Sequence, residues 1–106
     1  MKTFILARGT FGERTPFTER VTLERHRSPR VSSLTVSIVD GERVLAERSA
    51  TFHGLRVPLT LADVERALAE CRTDVALFHA DDSDYCPALM MPEPLGVVEL
   101  CRTLAR

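Results

Sequence analysis

Side chains able to do chemistry are most concentrated in His79-Ala80-Asp81-Asp82-Ser83-Asp84-Tyr85-Cys86-Pro87. An imidazole, a thiol, a phenol and three carboxylates in so short a run could serve a metal, a nucleophile or a charged docking surface. Each use makes its own demand on spacing.

A calcium loop would place Asp82, Asp84 and Glu93 at its positions 1, 3 and 12. Cys86 and Pro87 then stand where an oxygen ligand and a sharply turning glycine are needed, so the fit is poor. Zinc would gather Cys71, His79, Cys86 and Cys101, but these are 8, 7 and 15 residues apart and lack a close Cys-x-x-Cys pair. Cysteines in apolar helical positions read more simply as small hydrophobes. A thiol nucleophile would pair Cys86 with His79, yet the neighbouring carboxylates raise the thiol pKa and disfavour the thiolate. No cofactor and no metal is expected, and an enzyme acting through His79, Asp82, Asp84 and Cys86 ranks last.

The same stretch reads better as a surface. Between Arg72 and Arg102 there is no Lys or Arg, while Asp74, Asp81, Asp82, Asp84, Glu93 and Glu99 supply six acids. Tyr85, Leu89, Met90 and Met91 add adaptable apolar groups beside Pro87 and Pro92, and aromatic and Met side chains are enriched at protein interfaces. The competing view is that the aspartates keep a loop soluble while Leu89, Met90 and Met91 fill the core. If exposed, Asp81, Asp82, Asp84, Tyr85, Met90 and Met91 form a partner-binding face for a protein with a basic surface.

Opposite charge collects in the first half. Residues 1–56 hold ten Lys/Arg against six Asp/Glu, and residues 57–106 four against nine, so the halves carry +4 and −5. Arg8, Arg14, Arg25, Arg27 and Arg30 could meet nucleic-acid phosphates. The near-zero net charge, the lack of Trp and the single Tyr argue against base stacking, and a solvated strand end is the simpler reading. Gly9-Thr10-Phe11-Gly12 could cradle a phosphate through its amides, but more simply turns the chain. Segregated charge also leaves a homodimer open, basic half to acidic half.

The elements that must position these groups follow from periodicity. Period-two alternation predicts strands over 2–8, 16–26, 31–39 and 43–53. Phe17, Val21 and Leu23 share one face of the second; Leu34, Val36 and Ile38 one face of the third; Val44, Ala46, Ala50 and Phe52 one face of the fourth. Asp40-Gly41 signals a hairpin. A two-residue turn there pairs Ile38 with Arg43 and Val36 with Leu45, whereas a longer loop pairs Ile38 with Val44 and Val36 with Ala46.

The period then changes. Thr60 and Asp63 resemble a capping box, and Leu61, Val64, Leu68 and Cys71 recur at helical steps. Asp74–His79 reads as a fifth strand, 80–92 as a loop, and 95–105 as a helix burying Val97, Leu100, Cys101 and Leu104. The order β-β-β-β-α-β-α predicts an α+β fold: an antiparallel sheet of four to five strands with two helices packed on one face.

At 106 residues one domain, 1–106, is expected, with one core. No apolar run reaches the length of a membrane span, the Phe4-Ile5-Leu6-Ala7 stretch is too short for a signal peptide, and three cysteines cannot form a complete disulfide set. A cytoplasmic protein without membrane partners is expected. The leading functional expectation is a small non-enzymatic protein-binding module, an inhibitor or adaptor that docks the acidic loop on a basic, nucleic-acid-binding type of surface. A nucleic-acid-binding domain using the basic half is the alternative.

Overall fold

The computed structural model describes residues 1–11, 15–78 and 91–105. Four long strands come first: β1 (Lys2–Phe11), β2 (Thr15–Arg27), β3 (Arg30–Asp40) and β4 (Arg43–His53). They are followed by α1 (Leu61–Phe78), a short β5 (Met91–Pro92) and α2 (Pro94–Leu104). The strands form one antiparallel sheet in the order β4-β3-β2-β1-β5, so the expected α+β architecture holds.

Alternation along the strands decides which sheet face is dry. Phe4 from β1, Phe17, Val21 and Leu23 from β2, and Leu34, Val36 and Ile38 from β3 are buried in one cluster with Val64, Leu68, Cys71 and Val75 of α1 and Leu100 and Leu104 of α2. Each such Phe, Leu, Ile or Val side chain taken fully out of water contributes about 1.5–3 kcal/mol. The other face carries Thr18, Arg20, Thr22, Ser33, Thr35 and Ser49, with a hydroxyl pair between Thr35 and Ser49 at 2.7 Å. An antiparallel sheet tolerates one solvated face because each strand alternates its side chains.

Two strand irregularities shape the sheet, and the first corrects the expected register. The β3–β4 hairpin turns on Gly41 and Glu42, pairing Asp40 with Arg43 and Val39 with Val44. Neither expected register occurs. An extra residue, Leu45, then shifts the ladder so that Ile38 faces Ala46 and Val36 faces Arg48. A bulge of this kind keeps Ala46 on the dry side despite the turn beginning one residue later. In β1 a similar shift between Ile5 and Ala7 leaves both Leu6 and Ala7 buried.

The helices show a second correction. Thr60 and Asp63 do form a capping box: the Thr60 amide and hydroxyl donate to the Asp63 carboxylate at 2.9 and 3.0 Å, and the Asp63 amide donates to the Thr60 hydroxyl at 3.3 Å. These bonds, the backbone one first, hold the Asp63 carboxyl below its ordinary value. The helix does not stop near Cys71. Residues 74–78, expected as strand, continue α1, because Val75 extends the buried stripe of Val64, Leu68 and Cys71 by one more turn. A short apolar run fits either period, and here the preceding stripe decides.

α2 begins with Pro94, whose missing N–H falls where a helix leaves donors unsatisfied. The Glu93 amide donates to the Leu6 carbonyl at 2.9 Å, tying the start of α2 to β1. Gly96 lets the helix sit directly on that strand: a Cβ there would lie 1.8 Å from the Ile5 carbonyl oxygen. Among the described residues no helix is long and apolar enough to cross a membrane.

Candidate functional site

His79, Asp81, Asp82, Asp84, Tyr85, Cys86 and Met90 lie outside the described residues, but both flanks of that stretch are described. It was expected to follow a strand and instead follows the C-terminus of α1, which has no basic residue in its last turn. A helix C-terminus carries roughly half a negative charge, and no basic side chain in the last turn of α1 offsets it. On the near flank Leu77 is 70% exposed; on the far flank Met91 is 73% and Leu95 81% exposed. Val98, one turn after Leu95 on the same side of α2, is also exposed. Met91 is therefore not a core residue, and large apolar side chains meet water at both ends of the acid-rich run.

A second constellation, at the centre of the fold, was not anticipated. Glu19 sits in the same alternating series as Phe17 and Val21 and is fully buried. Arg72 of α1 meets it with both arms of its guanidinium, Nε to Oε2 at 2.7 Å and Nη2 to Oε1 at 2.8 Å. The pair borders a groove of about 210 Å³ between β1, α1 and α2, whose walls include Leu6, Leu61, Leu68, Pro92 and Val97. A bidentate, charge-assisted pair in such surroundings fixes the orientation of both elements. The available signal was the acid at an apolar-face position between Phe17 and Val21; its partner 53 residues away leaves no trace in local spacing.

On the other side of α1, Arg48 projects from an inward-facing position of edge strand β4 and pairs with Asp74, with Glu70 at 3.5 Å. The hydrogen bond to Asp74 raises the Arg48 pKa further. Asp74, one of the six acids counted above, thus serves the fold.

The basic residues divide. Arg8 lies far along β1 opposite Thr18, where its Nε is 3.4 Å from Glu93. Arg14 lies outside the described residues. Arg25, Arg27 and Arg30 stand at the other end of the sheet, where the β2–β3 hairpin turns through Ser28 and a cis-Pro29. Arg8 is seven ladder positions from Arg25, roughly 23 Å along a strand. Gly9, one of the supposed phosphate-cradling glycines, pairs with Phe17 inside the ladder. Joining the hairpin arginines is Arg56, which charge counting along the chain did not single out: Arg25, Arg27, Leu55 and Arg56 line one open cleft.

Of the cysteines, Cys71 is wholly buried, its thiol 3.8 Å from the Val36 carbonyl, and burial pushes its pKa up to about 11. It behaves as the expected small hydrophobe. Cys101 is half-buried on α2, and Cys86 lies outside the described residues. Among the described residues no three His, Cys, Asp or Glu side chains stand close enough to share a metal ion.

Compared with known proteins, the chain matches no family model, no curated protein sequence and no solved structure.

Proposed function

We propose that the chain is a small protein-binding module, an inhibitor or adaptor that presents Asp81, Asp82, Asp84, Tyr85, Met90 and Met91 to a basic surface on a partner protein. The observation that carries this reading is the exposure of Met91 and Leu95 where the acid-rich stretch rejoins the described fold. Large apolar side chains that open to water beside a field of one sign combine the two components of a specific interface, contact area and electrostatic steering. The lack of any Lys or Arg between Arg72 and Arg102, together with the C-terminus of α1, supports a partner of positive sign. Surfaces that bind nucleic acid have the matching charge, and occupying one is how such an inhibitor would act.

Exposed opposing charges are screened over about 8 Å at physiological ionic strength, so association weakens as salt rises. The test is capture of partners from the source organism by three forms of the protein: wild type, the triple variant Asp81→Asn, Asp82→Asn, Asp84→Asn, and the pair Met91→Ser, Leu95→Ser. One basic protein should be retained by the wild type, with affinity lowered about tenfold or more in each variant. Equal retention by all three forms would remove the acidic segment from the mechanism. An electrophoretic shift with bare nucleic acid at moderate salt would favour the basic-half alternative.

A further inference from the structure

The cleft at the β2–β3 end of the sheet has a chemistry of its own, independent of the acidic segment. We infer that Arg25, Arg27 and Arg56 form a binding site for a compact, multiply charged phosphate group such as a di- or triphosphate.

The arginines converge because of backbone geometry. Arg25 and Arg27 are alternate residues of β2, so they project from one sheet face roughly 7 Å apart. Arg56 arrives on the segment after β4, and that segment is firmly anchored. The Gly54 amide donates to the Arg30 carbonyl at 2.9 Å, and the Gly54 carbonyl accepts from the buried Ser32 hydroxyl at 2.7 Å. Gly54 has φ +93°, which other residues rarely adopt, and Val57, just beyond Arg56, is buried. Arg25 is steadied from the side, its Nη2 lying 3.4 Å from the Thr103 carbonyl in the last turn of α2. The cleft between them has a volume of about 500 Å³, larger than one phosphate needs.

Among the described residues, charge is concentrated there without a carboxylate counterion. Arg27 stands directly opposite Arg30 in the ladder, an arrangement in which like charges repel. Among the described residues, none of Arg25, Arg27, Arg30 and Arg56 is paired with a carboxylate, whereas Arg8, Arg48, Arg66 and Arg72 all are. Guanidinium forks match phosphate oxygens two at a time, so three on an anchored frame suit a dense anion better than a single charge. The compact ligand is favoured over a nucleic-acid strand for two reasons. Leu55 is the cleft's apolar wall, with no aromatic ring among the lining side chains on which to stack a base, and Arg8, seven ladder positions from Arg25, is already engaged by Glu93.

The test is a titration of the full-length, isotope-labelled protein with sodium tripolyphosphate and, separately, with a mixed-sequence single-stranded oligonucleotide, followed by amide NMR shifts at low salt. Tripolyphosphate should produce saturable shifts centred on residues 25–27 and 54–56. The pair Arg27→Gln, Arg56→Gln should weaken binding about tenfold or more, Arg27→Lys, Arg56→Lys less, and Arg43→Gln at the far hairpin less than twofold. All three positions changed are exposed, so the variants should keep the wild-type spectrum elsewhere. Absence of saturation, shifts spread evenly over Arg8 and Arg43, or indifference to the Gln pair overturns the site. Tighter binding of the oligonucleotide than of tripolyphosphate at equal phosphate concentration overturns the compact ligand and assigns the cleft to nucleic acid.

Discussion

Arg72 and Arg27 are the same side chain in opposite circumstances. Arg72 reaches from α1 to the fully buried Glu19 and engages both carboxylate oxygens, while Arg27 stands exposed beside Arg25 and Arg56 and opposite Arg30. One guanidinium holds two layers of the fold together; the other adds to a field at the sheet's end that no described carboxylate pairs with. The difference teaches that an arginine's role here follows from what the sheet and helices place against it, and not from its neighbours in the chain.

The largest expected effect comes from removing the partner of the buried Glu19. Arg72→Met takes both guanidinium bonds from the buried Glu19 carboxylate and should destabilise the protein by about 3–5 kcal/mol in denaturant unfolding. Combining it with Glu19→Met should recover much of that loss, because a matched apolar pair removes the buried charge. If Arg72→Met costs under about 1 kcal/mol, the pair is not the lock between β2 and α1 described above.

A middle-sized effect lies at the start of α1. Thr60→Ala removes the hydroxyl that accepts from the Asp63 amide, and should cost about 1 kcal/mol. The same box has a pH signature. Because the folded Asp63 carboxyl lies below its ordinary value of 3.8, its contribution is fully present above that value and is lost as pH falls through the lower, folded value. Acid unfolding curves of Asp63→Asn should therefore be flatter than wild type below about pH 4, and coincident curves would contradict the assignment.

The smallest effect completes the contrast. Arg27→Gln should change stability by no more than about 0.5 kcal/mol, and in the stabilising direction at low salt, since it relieves the Arg27–Arg30 opposition. A loss comparable to that of Arg72→Met would mean that the two arginines do not differ in kind.

Much of the fold was legible in the chain. Strand faces at Phe17, Val21, Leu34, Val36 and Ile38, the start of α1 at Thr60 and Asp63, and the helix over Leu100 and Leu104 follow from periodicity and capping chemistry. Residues 74–78 were less so, because a short apolar run suits both periods until the stripe through Val64, Leu68 and Cys71 is seen to include Val75. The acidic segment was legible as composition, and the apolar exposure on both its flanks was not. Burial of Leu77, Met91 or Leu95 depends on what packs over them.

Sequence by itself determined the alternation that gives the sheet one dry face, the class of the fold and the separation of positive from negative charge along the chain. These are local properties, governed by backbone repeat and side-chain type. Only the tertiary structure decided that Glu19 meets Arg72, that Arg48 meets Asp74, that Arg8 lies apart from Arg25 and Arg27, and that Arg56 joins them. Those outcomes depend on strand order, on the bulges at Leu6 and Leu45, and on the path from β4 into α1, which bring together residues whose distance along the chain carries no signal of their contact.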